Sequence, residues 1–177
     1  GIHLVIWALN EIFKEVQTHF SFKKLQVLFR SPVRVGDEIA LILSDLSSDE
    51  KKITLMSKGV QVALIKLVMA EASQDYCSDV IPTSNHNDTI CHDYKPSDLV
   101  DKSGQTSLYL DVDAMRQRYA DIMKALPAAQ IADLLATTRI VGMECPGLHS
   151  VYSELIIEKT DTEHIETVMK YVVSEYD

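Results

Sequence analysis

A glycine stands before an apolar segment at the start of the sequence, and this pairing could polarise a carbonyl group. Gly1 precedes the run Ile2–Leu9, in which His3 is the one titratable side chain. If the run is a helix, its first-turn N–H groups lack partners within the helix and can stabilise a developing oxyanion. The alternative role for the glycine is only to let the chain enter the helix tightly. We take Gly1 as a candidate backbone donor. His3 is a candidate proton carrier, with a rim or core histidine as the alternative.

Cys145 and His149 are four residues apart, a pairing that could activate a thiolate. Pro146 and Gly147 stand between them and interrupt a helix, so the two side chains need not face each other. We expect this run to shape the exit from a helix instead of forming a catalytic site.

Segment 85–92 contains two histidines, but its spacing does not match a known site. With Cys77 and Cys91, these histidines lack the ligand spacing of structural zinc sites. An Asp-x4-His pair is also absent, because position 87, five residues before His92, is asparagine. We expect a polar surface loop and no metal site.

Helical periodicity covers residues 2–16 and changes character along its length. The first turns are apolar nearly all round, whereas Glu11, Lys14 and Glu15 appear only near the end. A helix that is apolar on every side is buried, so the pattern predicts a central helix wrapped by a sheet.

Period-two alternation follows this helix and predicts four antiparallel strands. The strands are expected at residues 24–30, 39–43, 53–56 and 60–71, with turns at Gly36 and Gly59. Residues 1–72 therefore form a first unit of one helix and four strands.

A polar linker is predicted over residues 73–106, and a second unit over residues 107–177. In that unit we expect a short strand at 107–110, a helix capped by Asp111 or Asp113 and running through Met123, and a helix over 128–142. Alternation at 151–158 and 165–173 predicts two more strands. Helix, strand, turn and strand repeat the order of the first unit. The chain is therefore interpreted as a tandem repeat, truncated at both ends.

Composition restricts the partners. The net charge is −9, which argues against nucleic acid or an anionic membrane while leaving room for a local basic patch. Three cysteines without paired spacing favour free thiols in the cytoplasm.

Three motifs together resemble one known family. They are Gly1–Leu4 with Trp7–Leu9, Phe29–Val33 with Gly36-Asp37, and Ile140–Ser150. The chain resembles the MaoC-like hotdog dehydratases, in particular tandem forms that precede a short-chain dehydrogenase domain. The resemblance covers both units but not the linker. It implies an α+β double hotdog, with two central helices each wrapped by an antiparallel sheet.

The resemblance implies reversible hydration of an enoyl thioester carried on coenzyme A or acyl carrier protein, with no other cofactor. In the family, an Asp-x4-His pair upstream of the helix transfers the proton, and the glycine N–H stabilises the oxyanion. Gly1 matches that glycine, whereas the Asp-x4-His pair is absent from the 177 residues. If the protein begins here, we expect no competent dehydratase. The second helix follows Pro127 instead of a glycine, so we expect the second unit to be structural.

Two other functions remain open. One is a hotdog acyl-CoA thioesterase, which would use a carboxylate on the helix, such as Glu11 beside Asn10. The other is a non-catalytic acyl-binding or dimerisation module of a larger enzyme. In each case we expect a homo-oligomer, with a fused or associated short-chain dehydrogenase as a further partner of the dehydratase. The apolar edges of the truncated sheet predict association through those edges or coverage by the linker.

Overall fold

A computed structural model describes residues 1–72, 91–147, 150–159 and 168–174. Most of the predicted linker, with Cys77 and His86, lies outside the described residues, as does His149. The described part is an α+β fold, as predicted. Its helices are α1 (Ile2–Ile12), α2 (Val112–Arg118), α3 (Ala120–Ala125) and α4 (Ala128–Arg139), the last continued by a π-helical turn over Ile140–Glu144. Its strands are β1 (Phe20–Phe29), β2 (Ala40–Asp45), β3 (Glu50–Ser57), β4 (Val60–Glu71), β5 (Ser103–Ser107), β6 (Glu154–Glu158) and β7 (Val168–Val172).

All strand pairs in the described residues are antiparallel. One sheet has the order β2-β3-β4-β1-β6, and the other consists of β5 and β7. The first unit therefore contains one helix and four strands, as the periodicity predicted. β6 comes from the second unit and extends the first unit's sheet by pairing with β1.

The core lies between this sheet and the two longest helices. Alternate residues of β1, β3 and β4 are buried against helix residues such as Val5 and Leu9 of α1 and Ile131 and Leu134 of α4. β2 is different, because most of its side chains are exposed, including Ile42 and Leu43. β2 lies at the edge of the sheet and pairs with β3. Its apolar residues alternate along the strand, but this alternation does not mark a buried face.

The end of the first helix and the continuity of the next one differ from the prediction. α1 ends at Ile12 and not at residue 16, because the amide of Lys14 bonds the carbonyl of Glu11 and the amide of Val16 bonds that of Phe13. These are tightened turns and not a continuing helix. The helix expected to run through Met123 is two helices, separated at Tyr119, whose backbone is not helical. The cap is Asp111, whose carboxylate accepts from the amide of Ala114 at 2.9 Å.

The prediction that the second long helix ends at Gly142 is wrong. The chain continues in a π-helical turn to Glu144, where the amide of Cys145 donates to the carbonyl of Ile140 at 2.7 Å. The strand expected at 107–110 lies at Ser103–Ser107, inside the region interpreted as linker. Its position is set by long-range pairing with β7, which periodicity does not reveal.

Candidate functional site

A cavity of about 660 Å³ lies at the beginning of α1. Its walls come from distant parts of the sequence: the start of α1, the end of β1 with the residues that follow, the end of α4 with its π-helical turn, and the segment before β6. The lining residues named below are Gly1, Ile2, His3, Arg30, Val62, Thr138, Val141, Gly142 and Tyr152. The cavity is therefore formed by both units.

The mouth and the inner wall of this cavity differ in chemistry. Gly1, His3 and Arg30 are exposed, whereas Ile2 and Val62 are buried. An exposed cationic and polar mouth above an apolar interior fits an elongated ligand with a polar or anionic end and an apolar body.

Both residues predicted for chemistry, Gly1 and His3, border this cavity. Gly1 is the N-cap of α1 and makes no side-chain cap, and its carbonyl accepts from the amide of Leu4 at 3.0 Å. A Cβ atom built on Gly1 would meet no atom within 4 Å. Crowding therefore does not explain the glycine.

Two of the lining residues, Thr138 and Tyr152, carry hydroxyl groups, and the sequence analysis did not select them. Tyr152 lies just before β6 and packs on Phe29, with ring centroids 5.5 Å apart. Its hydroxyl oxygen and that of Thr138 are buried. Burial raises the pKa of Tyr152, an effect that hydrogen bonding with the side chains of Thr137 and Thr138 partly opposes. The sequence held one signal for this pair: helical periodicity places Thr138 on the buried side of the second predicted helix.

The residues proposed for a thioesterase do not line the cavity. Asn10 is buried, and its side-chain oxygen accepts from the amides of Asp121 and Ile122 at 3.1 and 3.2 Å. It therefore caps the first turn of α3. Glu11 pairs with Lys14 at 2.6 Å on the partly exposed side of α1. No aspartate or glutamate lines the cavity within the described ranges.

Cys145, predicted to be structural, and Cys91, predicted to lie in a surface loop, are both near the π-helical turn. Cys145 is buried, and burial raises the pKa of its thiol, an effect that Lys102 partly opposes. Cys91 is exposed, and its thiol donates to the carbonyl of Gly142 at 3.3 Å. No group of three or more histidine, cysteine, aspartate or glutamate side chains is arranged to hold a metal ion in the described segments.

Comparison with known proteins found no matching family model and no matching curated protein. Among the described residues, no helix has the length and apolar character needed to cross a membrane.

Proposed function

We propose that this chain is the acyl-thioester-binding part of a MaoC-like double hotdog, and that the cavity at the beginning of α1 holds the thioester. The observation that carries the proposal is the position of the cavity: it opens at the first turn of a buried eleven-residue helix. The amides of such a turn cannot all be paired within the helix and carry the positive end of its dipole. They are suited to a carbonyl oxygen.

Strand pairing supports the double-hotdog part of the proposal. β1 is the first strand after α1, and β6 is the first strand after α4. These corresponding strands pair with each other in antiparallel register, from Lys24 opposite Glu158 to Leu28 opposite Glu154. Antiparallel pairing of corresponding elements is the arrangement expected for two repeats related by an approximate two-fold axis.

In the proposed reaction, water adds to the double bond between C2 and C3 of an enoyl thioester. The water oxygen forms the bond to C3, the electron pair moves onto the thioester oxygen, and C2 then takes a proton. The first-turn amides of α1 stabilise the oxyanion, a contribution of about 10²–10³-fold for one such donor. His3, at the mouth, carries the proton. The apolar wall of Ile2, Val62 and Val141 packs on the acyl chain.

Arg30 provides the cation for the carrier. It is exposed at the mouth, just beyond the end of β1. Phosphate groups of coenzyme A or of a carrier protein's pantetheine arm would pair with a guanidinium there.

A non-catalytic acyl-binding module is the second candidate, and a specific observation favours it. No carboxylate borders the described cavity, and the whole sequence contains no Asp-x4-His pair. General acid–base assistance contributes about 10²–10⁴-fold. If this second candidate is correct, the chain should bind acyl-CoA and hydrate crotonyl-CoA close to the background rate. The thioesterase is the weakest candidate, because Glu11 is paired with Lys14 away from the cavity.

The binding is tested by calorimetric titration with octanoyl-CoA. Val141→Trp fills the cavity and should abolish binding. Val100→Trp, at a residue 62% exposed and away from the cavity, should bind like the wild type. Equal binding by both variants would remove the cavity from the proposal.

Activity assays then separate the three functions. Rapid hydration of crotonyl-CoA, lowered by His3→Ala, would establish the dehydratase in this chain. Release of free coenzyme A that Glu11→Gln abolishes would establish the thioesterase. Binding without either reaction would support the module.

A further inference from the structure

We propose that Gly142 determines how long an acyl chain the cavity accepts, because the absence of a side chain there leaves space into which the chain extends. Gly142 lies in the π-helical turn and lines the cavity beside Val141. This inference rests on the proposed function, because it assumes that the cavity holds an acyl chain. It adds a residue that selects chain length, which the proposed reaction leaves open.

The first step in the argument compares the six glycines of the chain. Three have a left-handed backbone conformation, which favours glycine, and at a fourth a Cβ atom would collide with a tyrosine ring: these are Gly36, Gly59 and Gly147, and then Gly104. Neither reason applies to Gly1 or Gly142, because neither has a positive φ and a Cβ atom on either would meet no described atom within 4 Å. The two glycines that backbone and packing do not require are the two that line the cavity.

The second step is that local structure disfavours a glycine at position 142. The residue lies inside the π-helical turn Ile140–Glu144. Glycine in a helical segment is less favourable than alanine, because it loses more backbone freedom on folding. π-helical turns within helices also occur frequently at functional sites. The space that Gly142 leaves open toward the cavity is therefore the feature that distinguishes it from alanine.

The third step is that main-chain groups hold the turn in place. The carbonyl of Gly142 accepts from the thiol of Cys91 at 3.3 Å, and that of Met143 accepts from the amide of His92 at 2.9 Å. These bonds would remain after a substitution at position 142. An added side chain would therefore occupy cavity space instead of moving the turn. Val141, beside it, already belongs to the wall assigned to the acyl chain.

Calorimetric titration of the wild type and of Gly142→Leu with butyryl-, hexanoyl-, octanoyl- and dodecanoyl-CoA tests the inference. In the wild type, each added methylene group should tighten binding by up to about fourfold until the cavity is full. Gly142→Leu should bind butyryl-CoA like the wild type and should stop gaining affinity at a shorter chain. For octanoyl-CoA we expect a loss of about tenfold or more, equivalent to about two methylene groups excluded from the wall.

The outcomes separate this inference from the proposed function. An equal loss for butyryl-CoA and octanoyl-CoA in Gly142→Leu, or no loss for either, would make the inference wrong while the proposed function stands. If the wild type binds none of the four ligands, both are wrong.

A matched control places the same side chain outside the cavity. Ala120→Leu adds a leucine at the exposed start of α3, which does not line the cavity. It should keep the wild-type dependence of affinity on chain length. Gly142→Ala should show the same shift as Gly142→Leu in weaker form, because its added group is smaller. A shift in Ala120→Leu as large as that in Gly142→Leu would overturn the assignment.

Thermal unfolding without ligand gives an independent readout. Replacing a glycine in a helical conformation by alanine reduces the freedom of the unfolded chain, so Gly142→Ala should leave Tm unchanged or raise it. Weaker octanoyl-CoA binding without a fall in Tm would support a role in selecting the ligand. A fall in Tm together with the same loss of affinity at every chain length would show that Gly142 serves the fold, and would overturn the inference.

Discussion

The first part of the molecule, residues 1–72, and the second part, the described residues from 91 onward, differ in how fully their buried polar side chains are hydrogen-bonded. In residues 1–72, the side chain of Asn10 accepts two amide protons, and the hydroxyl of Ser57 donates to the carbonyl of Glu38 at 2.9 Å. The four buried side-chain atoms of the described residues that lack a hydrogen bond of good geometry all lie after residue 91, and one of them, Nε of Arg139, is 3.5 Å from a carboxylate oxygen of Glu144. The buried polar side chains of the first part are therefore the more fully hydrogen-bonded.

The two parts are also held together differently. The first part rests on continuous ladders, with β4 spanning twelve residues between β1 and β3. In the second part, β6 and β7 have five residues each and lie in different sheets. Besides core packing, the second part has contacts at Gly147, which bridges to Asp93, and at Gln130, which bonds the main chain of β1. If this comparison is correct, point changes at those contacts should cost more than similar changes in the first part.

The largest effect is expected for Gly147→Ala. Gly147 has φ +91°, and a Cβ atom there would lie 2.0 Å from the carbonyl oxygen of His92. The substitution combines left-handed strain of about 1–2 kcal/mol with overpacking of about 1–3 kcal/mol. We expect a loss of about 2–5 kcal/mol in the free energy of unfolding, measured by urea denaturation.

The matched change in the first part is Gly59→Ala. Gly59 has φ +77°, but nothing lies within 4 Å of its Cβ position, so only the strain of about 1–2 kcal/mol applies. Amide exchange should also be faster at His92 in Gly147→Ala, because that amide bonds the carbonyl of Met143 beside the affected contact. Equal costs for the two glycines would contradict the comparison.

A smaller loss is expected for Gln130→Ala. The buried amide side chain of Gln130 on α4 accepts from the amide of Phe22 and donates to its carbonyl, both at 3.0 Å. The pairing of β1 with β4 is irregular just after Phe22, so the side chain bonds main chain beside that irregularity. Truncation leaves both main-chain groups unpaired, which should cost about 2–3 kcal/mol.

Gln117→Ala is the control for this change, since Gln117 lies exposed on α2. It should change the unfolding midpoint little. Gln130→Ala should also weaken the contact between the two parts, which amide exchange in β1 can detect. A Gln130→Ala protein as stable as Gln117→Ala would show that α4 is held by apolar packing alone.

Periodicity predicted the first part well because burial and pattern agree there. The alternation of β1 and the apolar turns of α1 both point toward one core, so local sequence and tertiary structure give the same answer. In the second part, pairing between strands that are distant in the sequence determines where each strand forms. β5 forms where Gly104 lies opposite Tyr171, whose ring occupies the space that a side chain at Gly104 would need. The sequence of residues 103–107, taken alone, is polar and predicts a linker.

The candidate site was predictable only in part, for a similar reason. Gly1 and His3 could be selected because helix-start chemistry is local in sequence. Tyr152 and Thr138 reach the same cavity through the packing of α4 and of the segment before β6, and no spacing rule connects them. That these two hydroxyls are buried close together is a property of the folded chain.

The smallest effect, and the one with the opposite sign, is expected for Asp133→Asn. Burial raises the pKa of Asp133 on α4 to about 6. The pKa of Asp37 in the first part is instead lowered by the hydrogen bonds that its carboxylate accepts from the side chain of Lys58 and from the amide of Arg34. The folded protein therefore holds a proton on Asp133 that the unfolded chain releases near pH 4. Stability attributable to this group is present below about pH 4 and is lost as the pH rises toward about 6. At pH 7, Asp133→Asn should stabilise the protein by about 1–2 kcal/mol, less than the full shift implies because part of the carboxyl reaches solvent.

Asp37→Asn should have the opposite pH dependence, since the stability from that carboxylate is present above its unfolded pKa and is lost as the pH falls. Urea denaturation of both variants between pH 4 and 7 checks the contrast, and a wild type whose stability does not fall relative to Asp133→Asn over that range would contradict it.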